Sequence, residues 1–249
     1  MPALLIRRLS SPALRLLPFA IAAGTLSACA TQTTVQQFGG MKAVMREGQT
    51  QPRIALSDAT SKPGAIAVGA IEGLNGEVTI VDSEVFVARP DGTGISMSGP
   101  APQPAGSATL LTLSHVDEWQ DIRIPQSASG ADLDTMIARL AAAKGLDTSK
   151  PFPIQIVGRV DSINIHVVNG YCPHGVDLGS QTAQPWHFDS SSPTQVRIVG
   201  FFAPNAGGVM THHGSDTHLH ALFTLDGAIA TGHIDAVTVA EGATLRLPK

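Results

Sequence analysis

Three histidines near the carboxyl end of the chain have the spacing of a metal site. His218 and His220 are two residues apart, so on a β-strand both side chains leave the same face. The dipeptide Asp226-Gly227 separates two apolar runs and predicts a tight hairpin turn, which would return His233 to a position beside that pair. Three neutral imidazoles with one position open are typical of a catalytic zinc site rather than a closed structural one. We therefore predict Zn²⁺ bound by these three side chains.

A His-x-His pair alone is weak evidence for a metal, because two such residues on a strand often have unrelated roles. The third histidine, which the turn places beside them, is the observation that favours a metal. A hairpin whose metal serves stability alone is the alternative. It predicts that unfolding, rather than activity, depends on the metal.

The composition predicts a fold built from strands and turns. Of 249 residues only 4% are aromatic and 14% charged, while 25 are glycine and 17 are proline. Such a chain favours short strands joined by many turns over a helical bundle. We expect an α+β fold: mostly antiparallel β-sheet in two lobes, with a few packed helices and the metal site on a C-terminal β-hairpin. The basic residues form no cluster beyond the first 28 positions, so no nucleic-acid interface is expected.

Apolar periodicity predicts where the individual elements lie. The sequence Ser129-Gly130-Ala131-Asp132 resembles a capping box ahead of apolar residues at helical spacing, and Gly145 is placed to end that helix. A short helix is also predicted at 41–46, and a hairpin turn at Asn75-Gly76. Strands are predicted at 64–71, 77–81, 84–88, 108–114, 154–158, 164–168, 195–203, 218–225, 228–239 and 243–247.

The best internal boundary is a stretch rich in proline and glycine at 98–107, which we interpret as a loop. This loop is too short to demand two separate domains. We therefore predict a single domain over 38–249, with lobes of about 38–105 and 106–249.

The N-terminal segment predicts export. Three arginines and no acidic residue precede an apolar run at 16–26, which is too short to span a bilayer. Leu26-Ser27-Ala28-Cys29 then resembles a bacterial lipobox, in which the cysteine is lipidated after cleavage. We predict a lipoprotein signal peptide at 1–28, lipidation of Cys29, a tether at 29–37, and a membrane-anchored protein on the periplasmic side. Ordinary cleavage nearby, with Cys29 incidental, is the alternative.

Three blocks of the sequence carry a family resemblance. Residues 69–82 read GAIEGLNGEVTIVD, similar to a strand-turn-strand block written GTF-x-x-LDGE, and residues 199–204 read VGFFAP, similar to VGF-x-x-P. His218-Leu219-His220 and Gly232-His233 then match a block written HLHF…GGH. In this order, and across roughly residues 36–248, the blocks resemble those of the α-acetolactate decarboxylases.

The resemblance implies a carboxy-lyase that converts 2-acetolactate, or a related 2-hydroxy-3-oxo acid, to acetoin and carbon dioxide. It implies Zn²⁺ on His218, His220 and His233, acting as a Lewis acid on the hydroxyl and ketone oxygens of the substrate. Glu77 matches the family's catalytic glutamate and would manage the proton delivered to carbon. Without the resemblance, Glu77 is interpreted equally well as a solvated residue at the start of a strand.

Two positions depart from the family pattern. The family places a substrate-holding arginine in a strand after the central helix, and the matching position here holds His166, which reaches less far. We assign His166 the catalytic role of that position. Arg159 lies on the same stretch, but it does not align with the position of the family's arginine and is therefore a poor replacement for it. A second family glutamate lies in a C-terminal tail, and this chain ends at Lys249, about where that tail would begin.

Neighbouring polar residues supply further candidates. His212 and His213 are interpreted as part of a solvated loop, with the alternative that one of them, His213 being the candidate, lines the pocket and supplies a missing polar group. Asp235 shares a face with His233 and is expected to orient its ring. Cys172 is interpreted as a half-buried loop thiol rather than as a ligand or nucleophile.

A non-catalytic exported lipoprotein that binds a metal or a small oxyanion at the same hairpin is the second hypothesis. A related resemblance, to the plant-and-prokaryote conserved domain, covers less of the chain because that domain lacks the Gly-Glu block. A buried Glu77 that faces the histidines favours the enzyme, whereas a solvent-facing Glu77 favours the binding protein. We expect a small-molecule substrate and a lipid membrane as partners, and a homodimer is left open.

Overall fold

The computed structural model describes residues 33–92, 94–101, 104–170 and 184–249. The predicted signal peptide, Cys29, the first part of the tether and Cys172 lie outside these residues. Within them the chain forms two antiparallel sheets and three α-helices, in agreement with the predicted α+β class. No helix in this part of the chain combines the length and apolarity needed to cross a lipid bilayer.

The first sheet is built from the amino-terminal part of the chain. Its strands are β1 (Gln36–Phe38), β2 (Ile54–Ala55), β3 (Ala65–Ile71), β4 (Glu77–Val81), β5 (Glu84–Asp91), β6 (Gly94–Ala101) and β7 (Ser107–His115). They pair in the order β1-β7-β3-β4-β5-β6, with β2 also on β7. Two short helices, α1 (Met41–Arg46) and α2 (Leu56–Ala59), and a 3₁₀ turn (Glu72–Leu74) complete this lobe. Both β3 and β4 are buried along their whole length, because α2 packs on one side and the second sheet on the other.

The second sheet carries the carboxyl-terminal part of the chain. Its strands are β8 (Trp119–Arg123), β9 (Ala128–Ser129), β10 (Phe152–Val167), β11 (Trp186–Ser190), β12 (Thr194–Phe202), β13 (Thr217–Leu225), β14 (Ala228–Val239) and β15 (Thr244–Pro248). Helix α3 (Gly130–Ala143) packs on the outer face through Leu133, Met136 and Ile137, which lie in the main apolar core.

Four strands of the second sheet close into a ring. The first half of β10 pairs with β12, β12 with β13, and β13 with β14. The second half of β10 then pairs with β14, so that His166 lies opposite His233. This closure brings together residues that are far apart in the sequence.

The two sheets pack face to face. Because side chains alternate along a strand, every second residue of β3, β4, β5, β12 and β13 points between the sheets. The apolar members of this layer include Ile66, Val68, Phe86, Val199, Phe201 and Leu222. Burying each large side chain contributes about 1.5 to 3 kcal/mol. The polar side chains of the same two faces form the candidate site.

Several local predictions are confirmed. The short helix spans Met41–Arg46, and the strand after the turn spans Ala228–Val239, as predicted. Asp226 and Gly227 have φ values of 49° and 83°, and Leu225 pairs with Ala228 across them. Positive φ at both central residues is the backbone of the tight hairpin turn that the sequence indicated.

Other local predictions are wrong. The stretch 98–107 is not all loop, since β6 continues to Ala101 on the sheet edge, where proline costs no ladder hydrogen bond. The first sheet also extends past the predicted lobe boundary near 105, because β7 pairs with β3. The separate strands predicted at 154–158 and 164–168 form the single strand β10. Ser129 precedes α3 but makes no side-chain cap, because it pairs with Thr238 as part of β9.

Candidate metal centre between the two sheets

The three predicted histidines converge on the inner face of the second sheet. His218 and His220 project from β13, and His233 of β14 lies directly opposite His220 in the ladder. Potential ligand atoms of the three side chains all lie within 4.8 Å of one another. The ring centroids are 5.1 to 5.5 Å apart, and all three residues are buried. The hairpin thus places three imidazoles in the arrangement that a metal ion requires.

Burial keeps these imidazoles neutral. It lowers the pKa of His218 to about 3, and it lowers the pKa of His220 and His233 well below the usual 6.5. The neighbouring imidazoles add a smaller effect in the same direction. Neutral rings present lone pairs, which is the form in which histidine ligates a metal.

Two ring nitrogens of the cluster are buried without a partner in the described part of the chain, which also favours a bound metal ion. His218 Nδ1 and His220 Nε2 are buried and have no hydrogen-bond partner among the described residues. Leaving a polar atom buried without a partner costs about 1 to 3 kcal/mol. A cation that accepts both lone pairs removes that cost, so this donor set fits a divalent metal.

The other nitrogens of these rings are held by neighbours. Thr79 Oγ1 on β4 lies 3.0 Å from His220 Nδ1 and 2.7 Å from Thr231 Oγ1. His218 makes a hydrogen bond with the backbone of Met210. These contacts fix which nitrogen of each ring stays free. Thr79 and Thr231 were not predicted as site residues, although each is two residues from a predicted one and therefore shares its face.

Glu77 reaches the cluster from the other sheet. Its side chain is buried, with Oε2 3.7 Å from His220 Nε2 and Oε1 3.9 Å from His166 Nε2. Burial raises its pKa to about 8, opposed by a 3.4 Å hydrogen bond that the Val168 N–H donates and aided by the charge of Asp235. Glu77 therefore carries a proton at neutral pH in the metal-free protein.

His166 lies between Glu77 and a second carboxyl group. Its Nδ1 is 2.9 Å from each oxygen of Asp235, and its ring centroid is 4.9 Å from that of His233. Asp235 was expected to orient His233, but its hydrogen bond is with His166, because β10 lies beside this part of β14. His166, His233 and Asp235 form a second group whose potential ligand atoms lie within 4.8 Å of one another.

Gly232 allows the close contact between β14 and β10 at this point. A Cβ atom added there would lie 2.8 Å from the His166 carbonyl oxygen and 2.5 Å from Ile165 Cγ2. Any larger residue would push the strands apart and separate the rings of His166 and His233. The glycine of the Gly232-His233 block therefore has a packing role in the centre.

Of the two adjacent loop histidines, it is His212 that contacts the cluster. Its ring is 5.0 Å from that of His233 at a near-perpendicular angle, whereas His213 is exposed at the rim of the neighbouring cavity. Arg159 does not reach the site. It pairs with Asp161 at 3.3 Å, and the seven residue steps from Arg159 to His166 span roughly 23 Å along β10.

A cavity of about 380 Å³ opens beside His233. It lies where β13 and β14 diverge beyond the His220–His233 pair. Its polar lining comes from α1, α3, the loop before β13, and strands β13 and β14, and includes Arg46, Asp134, His212, His213, Ser215, Thr217 and Asp235. A small polar molecule in this cavity would contact the cluster at His233.

The chain matches the family profile described as Alpha-acetolactate decarboxylase over residues 35–247. It is similar in structure to the alpha-acetolactate decarboxylase of Bacillus subtilis strain 168, with a TM-score of 0.63 and 19% identity over 86% of this chain and 85% of that one. The acetolactate decarboxylase of Bacillus subtilis subspecies spizizenii gives a TM-score of 0.62 and 17% identity over 86% of each chain.

A Staphylococcus aureus protein of unknown function, described as similar to alpha-acetolactate decarboxylase, gives a TM-score of 0.62 and 14% identity over 86% of this chain and 85% of that one. At these identities the likeness to the solved structures is one of fold. No curated protein matches the chain significantly.

Proposed function

This chain belongs to the alpha-acetolactate decarboxylase family, and on that premise we propose that it is a metal-dependent carboxy-lyase. The proposed reaction converts 2-acetolactate, or a related 2-hydroxy-3-oxo acid, to acetoin and carbon dioxide. The proposed metal is Zn²⁺, for which three imidazole ligands and one open position are typical of catalytic sites.

The position of Glu77 carries the proposal. A carboxyl group at the start of a strand is ordinarily solvated, yet this one is buried within 4 Å of both His220 and His166. A buried carboxyl that keeps its proton at neutral pH is suited to general-acid chemistry. This placement supports an enzyme over a lipoprotein that only binds a metal or an oxyanion.

The residues divide the chemical work. His218, His220 and His233 would hold the cation, which when bound supplies Lewis-acid chemistry at the hydroxyl and ketone oxygens of the substrate. Loss of carbon dioxide leaves a carbon that must receive a proton, and the Glu77 carboxyl beside the histidines is the group placed to deliver it. Thr79 keeps His220 Nε2 directed at the site by holding Nδ1.

His166 contributes through a fixed orientation. Asp235 holds its Nδ1, which directs Nε2 toward Glu77 Oε1 at 3.9 Å. The proposed role of His166 is to keep the Glu77 carboxyl in place and to exclude water from its far side. Its burial suits this role, since a solvated carboxyl would release its proton at neutral pH.

Metal content and acetoin formation from 2-acetolactate, measured on the same purified protein, test the proposal. We expect one zinc per chain with turnover, both lost in the double variant His218→Ala/His220→Ala. Glu77→Gln should keep the metal and lose turnover. His115→Ala, at the end of β7 and outside the site, is the matched control and should keep both. Zinc without turnover would favour the binding lipoprotein, and wild-type protein that binds no metal would contradict the proposal.

We further propose that the protein is exported and anchored to a membrane through a lipid on Cys29. The cationic start, the short apolar run and the Leu-Ser-Ala-Cys sequence support this. Cells labelled with a radioactive fatty acid should incorporate label into the wild-type protein and none into Cys29→Ala, which should also leave the membrane fraction. Equal labelling of both proteins would contradict the anchor.

A further inference from the structure

The proposed substrate is an anion, and among the described residues the side chains around the three histidines offer its carboxylate no permanent positive charge. Those that hydrogen-bond the cluster or lie against it are hydroxyl, imidazole and carboxyl groups. At His166 a carboxylate of the substrate would lie beside the carboxylate of Asp235, which already holds the imidazole through both of its oxygens at 2.9 Å. Two carboxylates bound to the same imidazole would repel each other strongly in a buried site. Because the proposed metal ion is assigned to the hydroxyl and ketone oxygens, the substrate carboxylate needs a positively charged side chain from another part of the molecule.

The cavity beside His233 supplies one. Among the described residues that line it, Arg46 is the one lysine or arginine, and the acidic residues are Asp134 and Asp235. Asp134 accepts hydrogen bonds from the backbone N–H of Asp216 at 2.9 Å and from Thr217 Oγ1 at 2.8 Å. Both carboxylates are thus engaged by donors of the protein. The Arg46 guanidinium has no hydrogen bond or ion pair in the described part of the chain.

The backbone of α1 fixes Arg46 relative to the site. The N–H groups of Met41 and Lys42 donate to the carbonyl oxygens of Val209 and Gly208 at 3.0 and 2.7 Å. These bonds tie the helix of the first lobe to the loop that continues into His212 and His213. Arg46 is the last residue of α1, so these hydrogen bonds hold its backbone in place beside the cavity. Its side chain lines the cavity and is exposed, where a ligand can reach it.

We propose, building on the proposed function, that this cavity is the anion subsite of the enzyme and that Arg46 binds the carboxylate of the substrate there. A guanidinium offers two parallel N–H donors that match the two oxygens of a carboxylate. The charge that recognises the acid thus comes from the first lobe, whereas the strand position opposite His233 holds a histidine paired with an aspartate.

Binding of two probes to the metal-loaded protein separates the effect of Arg46 from catalysis. The anionic probe is 2-hydroxyisobutyrate, a hydroxy acid with no ketone, and the neutral probe is acetoin. Arg46→Gln should weaken binding of the acid between about tenfold and a hundredfold, the loss expected for a charge-assisted hydrogen-bonded pair, and leave acetoin binding unchanged. Arg46→Lys should fall between wild type and Arg46→Gln, because it keeps the charge without the paired donors.

Lys42→Gln is the matched control, since it removes one positive charge from the same helix but does not line the cavity. Equal effects of Arg46→Gln and Lys42→Gln on acid binding would overturn the subsite. If Arg46→Gln weakens acid binding but the wild-type protein does not turn over 2-acetolactate, the subsite stands and the proposed reaction falls. Turnover by Arg46→Gln with an unchanged KM would overturn the subsite and leave the reaction standing.

Discussion

Replacing Glu77 by glutamine should make the metal-free protein more stable, by an amount that grows with pH. Burial raises the Glu77 pKa from 4.5 to about 8. Between these values the folded state keeps a proton that the unfolded state releases. The free energy of unfolding therefore falls as pH rises through this window, by up to about 1.4 kcal/mol per pH unit.

The size of the effect follows from the two pKa values. Integrated over the window, the protonated carboxyl costs the folded protein less than about 1 kcal/mol at pH 5, about 3 kcal/mol at pH 7 and about 4 kcal/mol at pH 8. Glutamine has nearly the shape of the protonated side chain and no charge to lose. The stability of Glu77→Gln relative to wild type should thus rise by about 3 kcal/mol between pH 5 and pH 8.

Urea unfolding of chelator-treated protein, followed by tryptophan fluorescence at several pH values, measures this difference. The buried histidines contribute equally to both proteins and cancel in the comparison. Glu84→Gln, which removes an exposed carboxylate from the neighbouring strand, is the control and should run parallel to wild type. Parallel curves for Glu77→Gln and wild type would refute the argument that burial holds the proton on Glu77.

Three further predictions concern the metal centre. Thr79→Val removes the hydroxyl that holds His220 Nδ1, and should weaken metal binding about 10- to 100-fold in a competition titration. With saturating zinc the variant should be as well folded as the wild-type protein. An unchanged affinity would exclude this role for Thr79. Gly232→Ala should lower the free energy of unfolding by about 1 to 3 kcal/mol, whereas Gly40→Ala, with no atom near the added Cβ and a φ of −102°, should change it little; equal effects would contradict the close packing at His166. Because burial lowers the pKa of all three cluster histidines, metal affinity of the folded protein should stay nearly constant from pH 7 to pH 5, and a loss of affinity that begins near pH 6.5 would show that the imidazoles protonate normally.

The parts of the site that depend on local chain geometry could be predicted from the sequence. The spacing of His218 and His220 and the turn at Asp226-Gly227 determine a face and a register over one hairpin, so the convergence with His233 follows from strand geometry alone. The short helix at Met41–Arg46 was likewise predicted from its own residues.

The contacts between distant strands could not be predicted in this way. Asp235 pairs with His166 because β14 crosses from β13 to β10, with a register shift between Asn164 and Ile165. A one-residue change in that register would send either side chain to the opposite face. Thr79 meets His220 only because the two sheets dock, and the place of Arg46 depends on where α1 rests against the loop near Gly208. These relations are set by tertiary packing, which a single sequence does not display.

The three histidines are close together in the sequence, whereas Glu77 and His166 are far from them in the sequence. The three histidines proposed as metal ligands all belong to one hairpin with a two-residue turn, and such hairpins form within about 1 to 10 μs. Glu77 joins them only after the sheets dock, and His166 only after β10 closes the ring with β14. Contacts between such distant segments form more slowly than local ones. The proposed ligand set is therefore complete within one hairpin, whereas the proposed acid, Glu77, reaches it only through contacts between the two sheets.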